Sequence, residues 1–141
     1  MPSIPACLLS AALAGATLSC AAAELELNIH GIAKAEGHVL VAVYRGADTW
    51  LKGPPLATAR VPVSAPGSLQ HRFEGLPDDV DVAVSVLHDL NGNGRLDQNA
   101  VGMPTEPYGF SNDAVGHFGP PKFEGARLRL RGVLSTQVTL N

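Results

Sequence analysis

From Glu24 onward the dominant period of the chain is two. Leu25, Leu27 and Ile29 alternate with Glu26, Asn28 and His30, as in a strand with one buried face. Val39, Val41 and Val43 repeat the pattern after Gly37, and Ala33 to Glu36 reads as a hairpin turn joining the two strands. Residues 56–63 and 68–74 predict two weaker strands, with Pro62 placing the first at a sheet edge, where a missing N–H is tolerated. Val80, Val82, Val84 and Val86 form the strongest strand. Ala83, Ser85 and Leu87 on its other face predict a central position, covered on both sides. Near the end Ala126, Leu128 and Leu130 alternate with Arg127, Arg129 and Arg131, which read as a wet strand face; after Gly132 a last strand runs to Val138 and Leu140. Gly46 to Pro55 is a connector, its Trp50 followed by a Gly53-Pro54-Pro55 stop.

About seven short strands, and no helical period longer than a turn, predict an all-β fold: an antiparallel immunoglobulin-like or transthyretin-like β-sandwich. The transthyretin-like alternative rests on Phe73-Glu74-Gly75-Leu76-Pro77 leading into the valine strand. Between Asp89 and Glu124 the period disappears for 36 residues, well beyond the roughly 12 to 15 of an ordinary loop. This segment holds Tyr108, Phe110, Phe118 and Phe123, four of the seven aromatic residues of the chain. That is too much apolar surface for a solvated linker, so one long ordered loop packed on the sandwich is expected.

Residues 1–23 change the picture at the other end. They carry no charge, an apolar run from Ala6 to Leu18 and the small residues Ala21-Ala22-Ala23 before Glu24, the features of a signal peptide cut after Ala23. The run is shorter than the roughly 18 to 20 residues needed to span a bilayer. The expectation is an exported domain of residues 24–141, periplasmic or extracellular, with no transmembrane span in its mature form. Cys20 follows Thr17-Leu18-Ser19, a loose likeness to a lipoprotein box with its leucine one place late, so lipidation there is the alternative. Both cysteines, Cys7 and Cys20, fall in this leader, leaving the domain no thiol chemistry. A formal charge of −3 with scattered signs gives no footprint for nucleic acid.

The densest chemistry is Asp89-x-Asn91-x-Asn93-Gly94-Arg95-x-Asp97. An EF-hand calcium loop has side-chain oxygens at positions 1, 3 and 5, glycine at 6, a backbone carbonyl at 7 and another ligand at 9. Asp89, Asn91, Asn93, Arg95 (through its carbonyl) and Asp97 supply each of them. Position 12 is Ala100 instead of glutamate, so Glu106, Asp113 or water would close the shell, and Ca²⁺ affinity should be weak. The same residues read without a metal as two tight turns, Asn91-Gly92 and Asn93-Gly94.

His88, His117 and Asp113 match no zinc spacing, and Ser111-Asn112 lacks a nucleophile elbow. No catalytic residues are assigned. A hydrolase would have to use His88 and Asp89, and a sugar or small-ligand site would use Tyr108 and Phe110 with Trp50.

Residues 87–97, Gly102-Met103-Pro104-Thr105-Glu106-Pro107-Tyr108-Gly109-Phe110-Ser111-Asn112 and Gly119-Pro120-Pro121-Lys122-Phe123-Glu124-Gly125-Ala126 resemble the bacterial family called domain of unknown function 2141. The resemblance covers the long segment closely and the flanking strands in outline. It implies an exported bacterial β-sandwich and no particular activity. The expected role is a non-enzymatic module whose long loop is a weak Ca²⁺ or interaction site, with an envelope protein or a carbohydrate as partner.

Overall fold

The computed structural model describes residues 22–141; nearly all of the expected leader, including both cysteines, lies outside them. Among the described residues eight strands form two sheets. One is β4–β1–β8, built from β1 (Ala23–Ile32), β4 (Gly67–Leu76) and β8 (Val133–Thr139). The other is β3–β2–β5–β6, built from β2 (His38–Arg45), β3 (Ala57–Pro62), β5 (Val80–Asp89) and β6 (Tyr108–Phe110), with β7 (Leu128–Leu130) pairing the first half of β5. The alternating apolar residues of β1, β2 and β5 face one another across the two sheets, so Leu25, Leu27, Ile29, Val39, Val41 and Val84 are all buried in one core. The β-sandwich is thus present, with β3 at an edge and β5 central as its pattern predicts.

Three details differ from the sequence reading. Ala33 to Glu36 does not turn a hairpin, because β1 pairs with β4 and β8 while β2 pairs with β3 and β5. Both strands carry a fully apolar face, and each buries it best at the centre of its own sheet, so the link crosses between sheets. Gly37, at φ +64, makes that crossing against the end of β5, where a Cβ would overlap the Asp89 carbonyl oxygen. The sandwich is also not wholly antiparallel, for β8 runs parallel to β1 from Glu24↔Val133 to His30↔Thr139. The chain leaves β7 in one sheet and passes through Gly132 at φ +52, whose carbonyl accepts the Glu24 N–H at 2.8 Å; it therefore enters the other sheet beside the start of β1. The eighth strand, β6, lies inside the long segment, three residues too short to show a period.

Arg129 of β7 and the flanking Arg127 and Arg131 are exposed, as an outward face should be. Arg129 and Arg131 both bond Asp79 in the β4–β5 turn, and Arg129 also reaches Asp81. Hydrogen bonds from Arg131 and then Arg129 hold the Asp79 carboxyl below the usual carboxylate range.

The long segment makes a second layer on the outer face of the β5 sheet. Trp50 from the connector, Ala83 from β5, Phe110, Phe123 and Ala126 form a separate small core, with Tyr44, Leu51 and Ala114 at its margin. Trp50 is its hub: its ring meets Tyr44, Phe110 and Phe123 edge to face at 5.4, 5.7 and 6.2 Å, a favoured geometry for ring quadrupoles. Its indole N–H donates to the Pro121 carbonyl at 2.8 Å.

Candidate functional site: a polar loop beside an apolar groove

β5 ends on His88 and Asp89, both fully buried. His88 lies on the core face, in register with Val84 and Val86, and its Nε2 meets the Glu36 carbonyl at 2.7 Å, while Nδ1 has no partner among the described residues. Asp89 turns into the loop that follows. Its Oδ1 accepts the Gly92 N–H at 3.0 Å and its Oδ2 the Gly94 N–H at 2.7 Å. Gly92 and Gly94 have φ of +74 and +80, the left-handed turn that glycine takes without a Cβ penalty. Asn91 and Asn93 close Asx turns on Asn93 N–H and Arg95 N–H, both at 3.1 Å. Their amide groups then donate to the two oxygens of Asp97 at 2.5 and 2.7 Å.

Glu106 arrives from further along and is 6 % exposed. Its two oxygens accept Leu90 N–H at 3.0 Å and Asp97 N–H at 3.1 Å, clamping both ends of the loop. Of the two acids expected to close the shell from outside, Glu106 therefore reaches the loop. Asp113 is placed elsewhere, accepting Thr139 N–H at 2.9 Å. Asp89, Asn91, Asn93 and Asp97 are brought together, but among the described residues no three His, Cys, Asp or Glu side chains gather as metal ligands.

The remainder of the segment builds a groove of about 1110 Å³ on the outer face of β5 and β6. Its floor includes Leu87, Tyr108 and Phe110. One wall is a small hairpin, bridged between Gln98 and Pro104 and closed by Asn99, whose side chain accepts Val101 and Met103 N–H at 3.1 and 3.0 Å. The other wall, residues 113–121, is pinned at both ends. On its near side Ser111 is fully buried, accepting Val84 N–H at 2.9 Å and donating to the Ala126 carbonyl at 2.5 Å. Asn112 donates to the Gly125 and Arg127 carbonyls. On its far side Trp50 holds Pro121.

The aromatics expected to bind or to plug divide here. Trp50 and Phe110 are buried at 8 and 9 %, whereas Tyr108 is 36 % exposed and lines the groove. Phe118, expected to pack on the sandwich, is fully exposed at the rim because its turn, at φ +60, points it away from the second core. Val101, Met103 and Val115 are also exposed on the groove walls. No expectation from the sequence singled these out; the signal was there, in apolar residues without alternation inside a Gly- and Pro-rich stretch, which have no face to bury. His88 and Asp89 do not line the groove, and neither does His117. Among the described residues no helix is long and apolar enough to cross a membrane.

A family model described as "Uncharacterized protein conserved in bacteria (DUF2141)" matches residues 27–138, which span β1 to β8 with the loop and groove between. The chain belongs to that family, as its resemblance implies. No curated protein and no solved structure matches it.

Proposed function

We propose that this member of the family is an exported, non-enzymatic binding module that holds a small apolar ligand in the groove over β5 and β6. The observation that carries the reading is the exposure of Val101, Met103, Tyr108, Val115 and Phe118 around one concavity. Scattered apolar side chains on a surface mean little, but a contiguous patch around a hollow marks a binding site. At about 1110 Å³ the groove lies just above the roughly 300–1,000 Å³ typical of ligand sites. His88 and Asp89 support binding over hydrolysis. Both are buried away from the groove, and the Asp89 oxygens already hold two backbone N–H groups.

The test is a fluorescence titration with N-phenyl-1-naphthylamine, a neutral apolar probe. Emission should rise saturably with the wild-type protein, and Trp50, the single tryptophan, should report the event because its partners Phe110 and Leu51 line the groove. Met103→Glu, on an exposed wall position, should weaken binding about tenfold or more while leaving the fold intact. A wild-type protein that gives no saturable signal overturns the reading.

A second reading concerns the loop, which would take a weak Ca²⁺ ion. Its support is the gathering of Asp89, Asn91, Asn93 and Asp97 in one short loop framed by Glu106; the Asn91 and Asn93 amides donate N–H to Asp97 and would turn their oxygens inward to ligate an ion. An ionised carboxylate has about four lone-pair sites, so an oxygen that holds one N–H can still face a cation. With Asn amides in place of acids at two positions, affinity falls in the roughly 10⁻⁴ to 10⁻³ M range of extracellular modules.

A further inference from the structure

We propose that the groove selects an amphiphile carrying one positive charge, its cationic end at Asp113 and its apolar body along Tyr108 and Met103. The inference rests on the groove being a ligand site and adds the class of ligand. Asp113 is the only lining residue with a charged side chain among the described residues. Arg95, His117 and Lys122, the basic residues of the segment, stand outside the lining, and no ion pair among the described residues includes Asp113. Asp113 is exposed where it lines the groove, so its carboxylate favours a cation and disfavours an anion by a modest, salt-sensitive margin.

The backbone is committed to this placement. Asn112 and Asp113 take φ of +60 and +48 in succession, a region that L residues avoid and that Asn and Asp tolerate best. Such strain persists where the surroundings enforce it, and it concentrates at functional sites. Here Ser111 and Asn112 fix one side through Val84, Ala126 and Arg127. Thr139 fixes the other, donating its N–H to Asp113 Oδ1. That single bond leaves the carboxylate with acceptor capacity for an ammonium group.

The experiment is displacement of N-phenyl-1-naphthylamine by decylammonium, decanol and decanoate near neutral pH, ligands alike in body and different in charge. Decylammonium should displace the probe at about tenfold lower concentration than decanoate, with decanol between, and added salt should narrow the gap. Asp113→Asn retains the acceptor for Thr139 N–H and the tolerance of positive φ, so it should fold with the melting temperature of the wild type and lose the preference for the amine. Equal displacement by all three ligands, a preference for decanoate, or a preference that survives in Asp113→Asn overturns the charge selection while leaving the apolar site standing. Failure of the probe to bind the wild type overturns both.

Discussion

The two halves of the long segment treat their polar and apolar groups in opposite ways. From Asp89 to Asp97 the chain closes on itself: each oxygen of Asp89, Asp97 and Glu106 has an N–H donor, from Gly92, Gly94, Asn93, Asn91, Leu90 and Asp97 in turn. Beyond Asp97 the chain is equally ordered, pinned by Asn99, Ser111, Asn112 and Trp50, yet it leaves Val101, Met103, Val115 and Phe118 facing solvent. Order without burial is the informative combination. Ordering a backbone costs conformational entropy, and a wall held in place with its apolar side chains outward gains little from folding alone. The first half is a frame, and the second is a surface the frame presents.

The largest test of the frame is Asp89→Ala. Removing this buried carboxylate strands two backbone donors, Gly92 N–H and Gly94 N–H, and the expected loss is about 3 kcal/mol in urea denaturation, since bonds to charged acceptors contribute about 1.5–3 kcal/mol each. Asp97→Ala supplies the contrast. Its partners are the exposed amides of Asn91 and Asn93, which turn to water, so the cost should stay below about 1 kcal/mol. Equal losses in the two variants would mean that burial does not distinguish the frame from its rim.

Ser111→Ala tests how the surface is held. The hydroxyl bridges Val84 N–H in β5 to the Ala126 carbonyl under the far end of the wall. Its loss leaves a buried N–H and a buried carbonyl unpaired and should cost about 2 kcal/mol. The same variant should weaken probe binding in the groove by several fold. By contrast Phe118→Ala should change stability by less than about 0.5 kcal/mol, since its ring touches no core, and still reduce probe binding. If Phe118→Ala destabilises as much as Ser111→Ala, the wall is part of the core and not a presented surface.

Calcium separates the halves by a different route. With a dissociation constant near 10⁻³ M, about 10 mM Ca²⁺ stabilises the domain by about 1.4 kcal/mol, read as a rise in melting temperature that Asp97→Asn reduces and Met103→Glu leaves alone. An unchanged melting temperature up to about 10 mM returns the loop to hydrogen bonds alone.

How much of this the sequence disclosed follows from the range of the forces involved. The sandwich was legible because alternation records which face of a strand meets the core: Leu25, Val41 and Val84 are buried as their pattern requires. Sheet membership was not legible, since alternation specifies a buried face and not a neighbour; β1 and β2 look like a hairpin and are partners across the core instead. In the loop, Asp89 and the two Asn-Gly turns were legible because they are local, closing over two to five residues. Glu106 was recognised as a candidate from its charge alone. Of the groove, Tyr108 and Phe110 were legible as candidate ligand residues, but its walls were not. It depends on contacts such as Trp50 to Pro121, 71 residues apart, and on side chains whose significance lies in remaining exposed.

The smallest effect expected is at the opposite corner of the molecule, and it calibrates what a carboxylate contributes when it is not buried. Asp79 sits exposed in the β4–β5 turn at φ +58 and pairs with Arg131 and Arg129 rather than with backbone. Its folded-state pKa lies below the ordinary value through those guanidinium bonds, so the stability it contributes is fully present above its unfolded pKa and is lost as pH falls through the folded one. Asp79→Asn removes the charge and keeps a side chain that tolerates positive φ. Wild type and variant should differ by a small constant in urea midpoint above about pH 5 and converge below about pH 4. Salt should shrink the difference, because exposed pairs are screened. A gap that persists undiminished at low pH or high salt would assign it to the turn backbone and remove Asp79 as the exposed counterpart to Asp89.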